Sequence, residues 1–325
     1  MIRFFDGGMG SMLNLAAGEL PEKLNISEPE RVFAVHKGYA DAGAQFITAN
    51  TFGANSLKYG NVDELVKAGV ALAKKAGKYV ALDIGPTGKL LKPMGDLEFE
   101  RAVELFAEVV RAGKDGSDVA IIETMSDMYE LKAAVIAVKE NSDLPIITSM
   151  IFDESGRLLT GGDVKSAVAM LEGLRVDAIG FNCGLGPKQM IPLVKELREC
   201  TSLPILVMPN AGLPESVDGK TVYNVSPDEF AQDMREIAKL GVSILGGCCG
   251  TTPEHIRKMT YRLAGRPVPV HGNPTQRALT SERASLTFDL DGPFLIVGER
   301  INPTGKKKLQ QELREGSFEL VTQFA

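Results

Sequence analysis

Cysteine is the residue type whose placement in this sequence most directly indicates chemistry. Cys183 stands in the run Asn-Cys-Gly, and Cys248 and Cys249 are adjacent in the run Gly-Gly-Cys-Cys-Gly. Glycine-rich surroundings are typical of loops that need backbone freedom, and adjacent cysteines rarely form an unstrained disulfide. We therefore interpret these three thiols as a metal site and not as buried core residues. Cys200 ends a helical pattern and is expected to be a core thiol.

Three thiolates with one vacant position are typical of a zinc site that leaves room for a substrate. The sequence has no Cys-X-X-Cys pair, which argues against a zinc ribbon or finger. Zinc held by three thiolates is a weak Lewis acid, but it deprotonates a thiol that coordinates it. We therefore predict alkyl transfer to a substrate thiol. Asn210 is a candidate fourth ligand when no substrate is bound, although its Pro-Asn-Ala-Gly run also fits a plain turn.

Eight alternations of a short apolar run and a longer segment with helical spacing occupy residues 2 to 264. This number and length predict an α/β fold, a closed (β/α)8 TIM barrel, with a doubly wound parallel sheet as the alternative. Ser226 and Thr252 are expected to cap helices, and Gly43, Gly113 and Gly173 to end helices in left-handed conformations. The predicted strands are Ile2–Phe5, Gln45–Ala49, Tyr79–Asp83, Val119–Ile122, Pro145–Met150, Ala178–Phe181, Pro204–Met208 and Ser243–Leu245.

Active sites of such barrels lie at the carboxyl ends of the strands. Backbone N–H groups at Gly7 and Gly8 would suit a carboxylate, and Glu123 would suit an ammonium group. A thiol-bearing amino acid therefore fits these two positions together with the predicted metal site. Plainer interpretations also exist, because Asp6 and Gly7 could form a turn and Glu123 could favour a helix N-terminus. Besides the cysteines, the candidate substrate-binding residues at these strand ends are Asp6, Gly7, Gly8, Asn50, Thr51, Glu123, Asn182 and Asn210.

Charge and hydrophobicity narrow the class of partner. The chain has 36 basic and 42 acidic residues, a net charge of -6, and no long block of one sign. This balance argues against nucleic acid or an anionic membrane surface as a partner and favours a small molecule. The sequence also lacks a secretory signal pattern and an apolar run of about 18 residues, so we expect a cytoplasmic protein.

The composition changes after Gly265 to a proline-punctuated segment without helical or strand periodicity. We predict a barrel over residues 1–270, a linker or strap over 271–292, and a strand, a loop and a helix over 293–325. Because one such unit cannot bury its apolar face alone, residues 293–325 are expected to be the truncated beginning of a second α/β domain.

Several motifs together resemble the homocysteine S-methyltransferase family over residues 1 to 265. They are DGGMG, TANTFGAN, IIETMSD, GFNCG, PNAG and GGCCGTTPEHI. The resemblance implies a (β/α)8 barrel that binds zinc through Cys183, Cys248 and Cys249, residues that also serve catalysis. It further implies that L-homocysteine is the substrate and that the product is L-methionine.

The final segment, FLIVGERINPTGKKKLQQELREG, resembles the opening of the pterin-binding module of cobalamin-dependent methionine synthases. This resemblance implies methylcobalamin as methyl donor, held by a cobalamin-binding module and recharged by a module that binds 5-methyltetrahydrofolate. The alternatives are a homocysteine methyltransferase that uses betaine or S-methylmethionine, a phosphate-binding barrel, and a structural-zinc binding module. A Schiff-base aldolase is disfavoured because none of the predicted strand ends carries a lysine.

Overall fold

The computed structural model describes residues 1–15, 18–217, 220–269, 272, 274, 277–289 and 291–324. Eight parallel strands form one sheet. They are β1 (Arg3–Phe4), β2 (Phe46–Thr48), β3 (Tyr79–Ile84), β4 (Val119–Met125), β5 (Ile146–Met150), β6 (Ala178–Asn182), β7 (Ile205–Met208) and β10 (Ile244–Leu245), and their order in the sheet is β1-β10-β7-β6-β5-β4-β3-β2. Two separate strand pairs are β8 (Glu215–Val217) with β9 (Lys220–Val222), and β11 (Ala278–Thr280) with β12 (Ser285–Thr287).

The sheet closes into a barrel between its first two strands in the chain. Phe5 and Phe46 form a parallel bridge there, and the Gln45 amide donates to the carbonyl of Phe4 at 2.8 Å. All eight predicted strands are present, with bounds that differ from the prediction by at most three residues. The (β/α)8 barrel is thus confirmed, and the doubly wound sheet is excluded because its edges would remain open.

Helices alternate with the barrel strands and cover their outer faces. These helices are α1 (Met9–Leu13), α2 (Leu24–Ser27), α3 (Pro29–Asp41), α4 (Val62–Lys75), α5 (Phe99–Gly113), α6 (Met128–Asn141), α7 (Val164–Gly173), α8 (Pro187–Cys200), α9 (Pro227–Lys239) and α10 (Pro253–Leu263), with short 3-10 turns at Pro21–Lys23 and Lys114–Gly116. Two further helices, α11 (Lys307–Glu315) and α12 (Glu319–Phe324), follow later in the chain. Among the described residues, none of these helices is long and apolar enough to cross a membrane.

Two apolar clusters hold the barrel together, one between strands and helices and one inside the ring of strands. Their membership alternates along each strand, as the period of two requires. The inner cluster comprises Phe5, Ala81, Val119, Ile121, Ile147, Ala178, Leu206, Met208 and Ile244. These residues define which side chains farther along each strand point into the barrel mouth.

The helix-end signals were only partly correct. Ser226 begins α9 with a capping box, and Gly43 has the expected left-handed φ of 100°. The predictions for Gly113 and Gly173 are wrong, because both are the last residues of helices and neither has positive φ. At Gly113 the reason is packing, since a Cβ there would lie 2.3 Å from Cδ1 of Leu82.

The chain divides into two compact units, residues 1–286 and 287–325. Within the first unit, the hydroxyl of Thr280 on β11 donates to the carbonyl of Ser166 on α7 at 3.2 Å. The boundaries 270 and 292 stay predictions, and parts of the 271–292 segment, including His271, lie outside the described residues.

The second unit contains α11 and α12, but the strand predicted at its start is not observed in residues 293–299. Phe294 and Ile296 there are 93% and 83% exposed. The strand prediction was wrong because an extended apolar run forms a strand only where a neighbouring strand pairs with it.

Candidate active site

The three glycine-flanked cysteines converge at the carboxyl end of the barrel. Cys183 follows β6, and Cys248 and Cys249 follow β10. Their sulfur atoms all lie within 4.8 Å of one another, with 3.9 Å between Cys183 and Cys249 and 4.0 Å between Cys248 and Cys249. Such a cluster could hold a metal ion. Cys200 is buried at the end of α8 and does not belong to the cluster.

Backbone hydrogen bonds fix both cysteine loops to the strand that lies between them. The amide of Cys183 donates to the carbonyl of Met208 at 3.1 Å, and the amide of Cys248 donates to the carbonyl of Pro209 at 2.9 Å. Cys183 has a φ of 59°, a left-handed conformation that costs a non-glycine residue about 1–2 kcal/mol. The thiols are therefore held in position by the chain itself.

The loop after β1 packs directly on the loop that carries the cysteine pair. A Cβ on Gly8 would lie 2.7 Å from the carbonyl oxygen of Cys248, so a side chain at Gly8 has no room. The Thr251 hydroxyl links the two loops, because it donates to the Cys248 carbonyl at 2.6 Å and accepts from the Gly8 amide at 3.1 Å. Gly8 therefore has a structural reason to be glycine besides the predicted substrate role, and its N–H is already engaged.

Asn210 lies between the two cysteine loops. The backbone N–H of Asn210 donates to the carbonyl of Leu185 at 3.0 Å, and the backbone N–H of Ala211 donates to the carbonyl of Cys249 at 2.9 Å. The Asn210 side chain is buried, and its Oδ1 has no hydrogen-bond partner among the described residues. An unpaired buried amide oxygen on a residue between the two cysteine loops is the kind of atom that a metal ion would satisfy.

Asn182 joins three neighbouring strands beneath the cluster. Its Oδ1 accepts from the Thr124 amide at 2.8 Å and from the Ser149 hydroxyl at 2.7 Å. Its Nδ2 donates to the Thr124 hydroxyl at 2.7 Å and lies 3.9 Å from the sulfur of Cys248. The structure thus places Asn182 where it orients a thiol and the end of β4.

Hydrogen bonding within the cluster lets one sulfur ionise before the others. Hydrogen bonds from the thiols of Cys183 and Cys248 lower the pKa of Cys249 to about 3, and the Tyr223 hydroxyl adds to this effect. Hydrogen bonds with Cys183 and Cys249, together with burial, raise the pKa of Cys248 well above its usual value. Tyr223 directly follows β9, and no motif or periodicity around it predicts its hydrogen bond with Cys249.

A group of carboxyls lies at the same end of the barrel. Asp6 accepts from the amide and hydroxyl of Thr48 at 2.9 and 2.7 Å, yet burial outweighs these bonds and raises its pKa to about 7. Burial and the charge of Asp6 raise the pKa of Glu123 to about 8. Asp83 joins them, a residue for which the sequence predicted no functional role. Its only signal was an acidic residue at the end of an apolar strand.

The side chains of Asn50 and Thr51 donate hydrogen bonds to residues of neighbouring elements. The Asn50 side-chain amide donates to the carbonyl of Pro21 and to Oδ1 of Asn25, both at 2.8 Å. The Thr51 hydroxyl donates to the backbone carbonyl of Asp83 at 2.8 Å. These bonds hold the loop after β2 against neighbouring elements, so the two residues act here on the shape of the mouth.

The family model described as homocysteine S-methyltransferase matches residues 3–263. The chain belongs to the homocysteine S-methyltransferase family. Two curated relatives are methionine synthases, from Mycobacterium tuberculosis (31% identical over 339 residues) and Mycobacterium leprae (30% identical over 344 residues). Each comparison covers 95% of this chain but only 28% of the relative, so the chain spans little more than a quarter of their length.

Solved structures from this family have the same fold. The homocysteine methyltransferase MmuM from Escherichia coli, in its metallated form, matches with a TM-score of 0.69 and 23% identity, over 80% of this chain and 96% of that one. Its apo form matches with a TM-score of 0.66 and 26% identity, over 80% and 95%. This similarity places the barrel of the present chain among barrels of the homocysteine S-methyltransferase family.

Proposed function

We propose that this chain is a zinc-dependent module that binds L-homocysteine and transfers a methyl group to its sulfur, giving L-methionine. The observation that carries the proposal is the convergence of three thiols from two separate loops within 4.8 Å of one another at the carboxyl end of the barrel. Family membership supports the substrate, because the family is described by methyl transfer to homocysteine.

The donor set fits zinc. Cys183, Cys248 and Cys249 would hold the ion, and the unpaired Oδ1 of Asn210 offers a weaker oxygen ligand that a substrate thiol can replace. When bound, zinc would keep a substrate thiol in its thiolate form near neutral pH. Asn182 would help to orient Cys248, since its Nδ2 lies 3.9 Å from that sulfur.

The buried carboxyls at the same end of the barrel fit the amino-acid end of homocysteine. Glu123 and Asp6 would accept hydrogen bonds from the ammonium group, since both carboxyls are buried at this end of the barrel. Gly7, next to the engaged Gly8, would leave its backbone N–H for the substrate carboxylate. Binding both ends of the substrate would aim its sulfur at the cysteine cluster.

For the methyl donor we propose methylcobalamin, recharged from 5-methyltetrahydrofolate. This proposal is supported by relatives that are named methionine synthase and are more than three times as long as the matched part. Their additional length has room for cobalamin-binding and folate-binding modules, which would be the partners of this chain. The residues of the barrel support a thiol as the methyl acceptor, but they do not identify the methyl donor.

Methionine formation by the purified, zinc-loaded chain tests the proposal. We expect free methylcobalamin to methylate L-homocysteine stoichiometrically, and betaine or S-methylmethionine to react far more slowly. Methylation from betaine or S-methylmethionine at the higher rate would contradict the cobalamin assignment. X-ray absorption at the zinc edge should show three sulfur neighbours without homocysteine and four with it. An unchanged sulfur count would contradict thiol binding at the metal.

A further inference from the structure

Asp83 is a buried carboxyl to which the proposed function assigns no task. It lies on β3, is 5% exposed, and its Oδ1 has no hydrogen-bond partner among the described residues. Buried polar atoms in native proteins almost always have a partner, so an unpaired carboxylate oxygen calls for an explanation. A ligand that donates a hydrogen bond is one such explanation.

The strand pattern shows where the Asp83 side chain points. Ala81, two residues earlier on β3, belongs to the apolar cluster inside the barrel. Because side chains alternate along a strand, Asp83 points into the same interior, one layer closer to the mouth. Ile121 on β4 pairs with Asp83 and is also in the inner cluster, so Glu123 lies on the inner face one layer above.

The charges around Asp83 are all of one sign. Burial, followed by the charges of Glu123, Asp6 and Glu22, raises the pKa of Asp83 well above its usual value. Glu22 is already engaged, because it accepts from the amide of Gly53 and from the hydroxyl of Tyr59, each at 2.5 Å. Among the described residues, no lysine or arginine forms a salt bridge with Asp6, Asp83 or Glu123, so a cation entering the mouth would relieve the repulsion among these three carboxyls.

We propose that Asp83 is a third carboxyl of the amino-acid pocket and accepts a hydrogen bond from the substrate ammonium group alongside Glu123 and Asp6. The inference rests on the proposed function, since it takes the substrate to be a thiol-bearing amino acid. An ammonium group has three N–H donors and can serve several acceptors at once. Asp83 would therefore determine specificity for a substrate that carries an α-amino group.

A pair of ligands separates this role from a general structural one. L-Homocysteine and 4-mercaptobutyrate share the thiol and the carboxylate, but only homocysteine carries the ammonium group. We expect Asp83→Asn in the zinc-loaded chain to weaken homocysteine binding about tenfold, as loss of a charged hydrogen bond does, and to leave 4-mercaptobutyrate binding unchanged. Titration calorimetry measures both affinities.

Asp118→Asn is the matched control. Its carboxyl lies at the other end of the same strand pair and accepts from the Val80 amide at 2.8 Å, so this variant should keep the preference of the wild type. Zinc content and thermal unfolding verify that each variant is folded. If Asp83→Asn does not fold, Asp83→Ser removes the carboxyl without burying an amide and answers the same question.

Two results would overturn the inference. Equal weakening of both ligands would show that Asp83 only shapes the barrel, and an unchanged preference for homocysteine would show that Asp83 does not meet the ammonium group. Either result leaves the proposed function intact. A wild-type chain that binds neither thiol would contradict the proposed function, and the role of Asp83 with it.

Discussion

The barrel mouth has two arcs with opposite chemistry. The thiol arc, formed by Cys183, Cys248 and Cys249, sits on loops that backbone hydrogen bonds hold in place. The carboxyl arc, formed by Asp6, Asp83 and Glu123, is drawn into the low-dielectric interior, which raises the pKa of each member. Soft sulfur ligands suit a metal, whereas buried carboxyls suit an ammonium group. Under the proposed function, the thiol arc would bind the sulfur of the substrate and the carboxyl arc would bind its ammonium group.

The largest effect should come from breaking the thiol arc. Substituting alanine for Cys183, Cys248 or Cys249 should abolish stoichiometric zinc and thiol methylation, because two thiolates do not hold the ion firmly. Metal analysis of the purified variants measures the loss. Cys200→Ala is the control and should retain zinc, since Cys200 is buried in α8 outside the cluster. Loss of zinc in Cys200→Ala would contradict the ligand assignment.

Proton release on homocysteine binding tests whether the substrate thiol ionises at the thiol arc. A thiol with a pKa of about 8.5 is mostly protonated at pH 7 but must bind zinc as the thiolate, so homocysteine binding should release nearly one proton. Calorimetry in buffers of different ionisation enthalpy counts that proton. Methionine has no thiol proton to lose and should bind weakly. Homocysteine binding without proton release or pH dependence would show that its thiol does not ionise at the metal.

Binding of an ammonium group by the carboxyl arc should depend on pH. Because the pKa values of Asp6 and Glu123 are raised to about 7 and about 8, both carboxyls gain protons as the pH falls through neutrality and then attract an ammonium group less. The affinity ratio of homocysteine to 4-mercaptobutyrate should therefore fall between pH 7.5 and 5.5, by up to about tenfold per pH unit. Thiol ionisation cancels in this ratio. A ratio that does not change with pH would show that the ammonium group does not bind at Asp6 and Glu123.

A smaller effect concerns stability without substrate. The pKa of Asp83 is raised in the folded chain by burial and by neighbouring carboxyls, so folding loses stability as the pH rises above the ordinary value near 3.8. Asp83→Asn removes that loss and should raise the Tm by roughly 2–4 °C at pH 8, with less effect at pH 5. Thermal unfolding at both pH values checks the difference, with Asp118→Asn as control. A lower Tm at pH 8 would mean that the Asp83 carboxylate is well compensated.

The smallest effect should follow removal of residues 287–325, which form a compact unit of their own. Residues 1–286 already contain both arcs and all eight barrel strands. We therefore expect this shorter chain to unfold cooperatively, at nearly the same temperature as the full chain, and to bind homocysteine with equal affinity. Loss of cooperative unfolding would place the domain boundary elsewhere.

The two arcs also differ in how far the sequence predicts them. Adjacent cysteines between glycines are conspicuous, and Cys183 follows a predicted strand in a run that also contains glycine. Glu123 and Asp6 were found because they follow predicted strands. Asp83 was missed because its meaning depends on which face of β3 points inward, and that is settled only by the packing of the complete ring.

Other parts of the structure depended on partners that a linear pattern does not contain. Tyr223 reaches Cys249 from beyond a hairpin without motif or periodicity, and Gly113 is required by a close approach to Leu82. The predicted strand before Glu299 lacked a neighbouring strand to pair with. A linear pattern does not show whether a contact from a distant part of the chain, or a pairing strand, is present.

The Thr251 bridge between the Cys248 carbonyl and the Gly8 amide has a consequence for biosynthesis. It connects the first loop of the barrel to the last, so a ribosome must release almost the whole barrel before the cysteine cluster can form. Until then the nascent chain carries unprotected thiols, of which Cys183 emerges first. Under the proposed zinc-dependent function, metal delivery and protection from oxidation during translation should therefore matter more for this protein than for one whose ligands are close together in sequence.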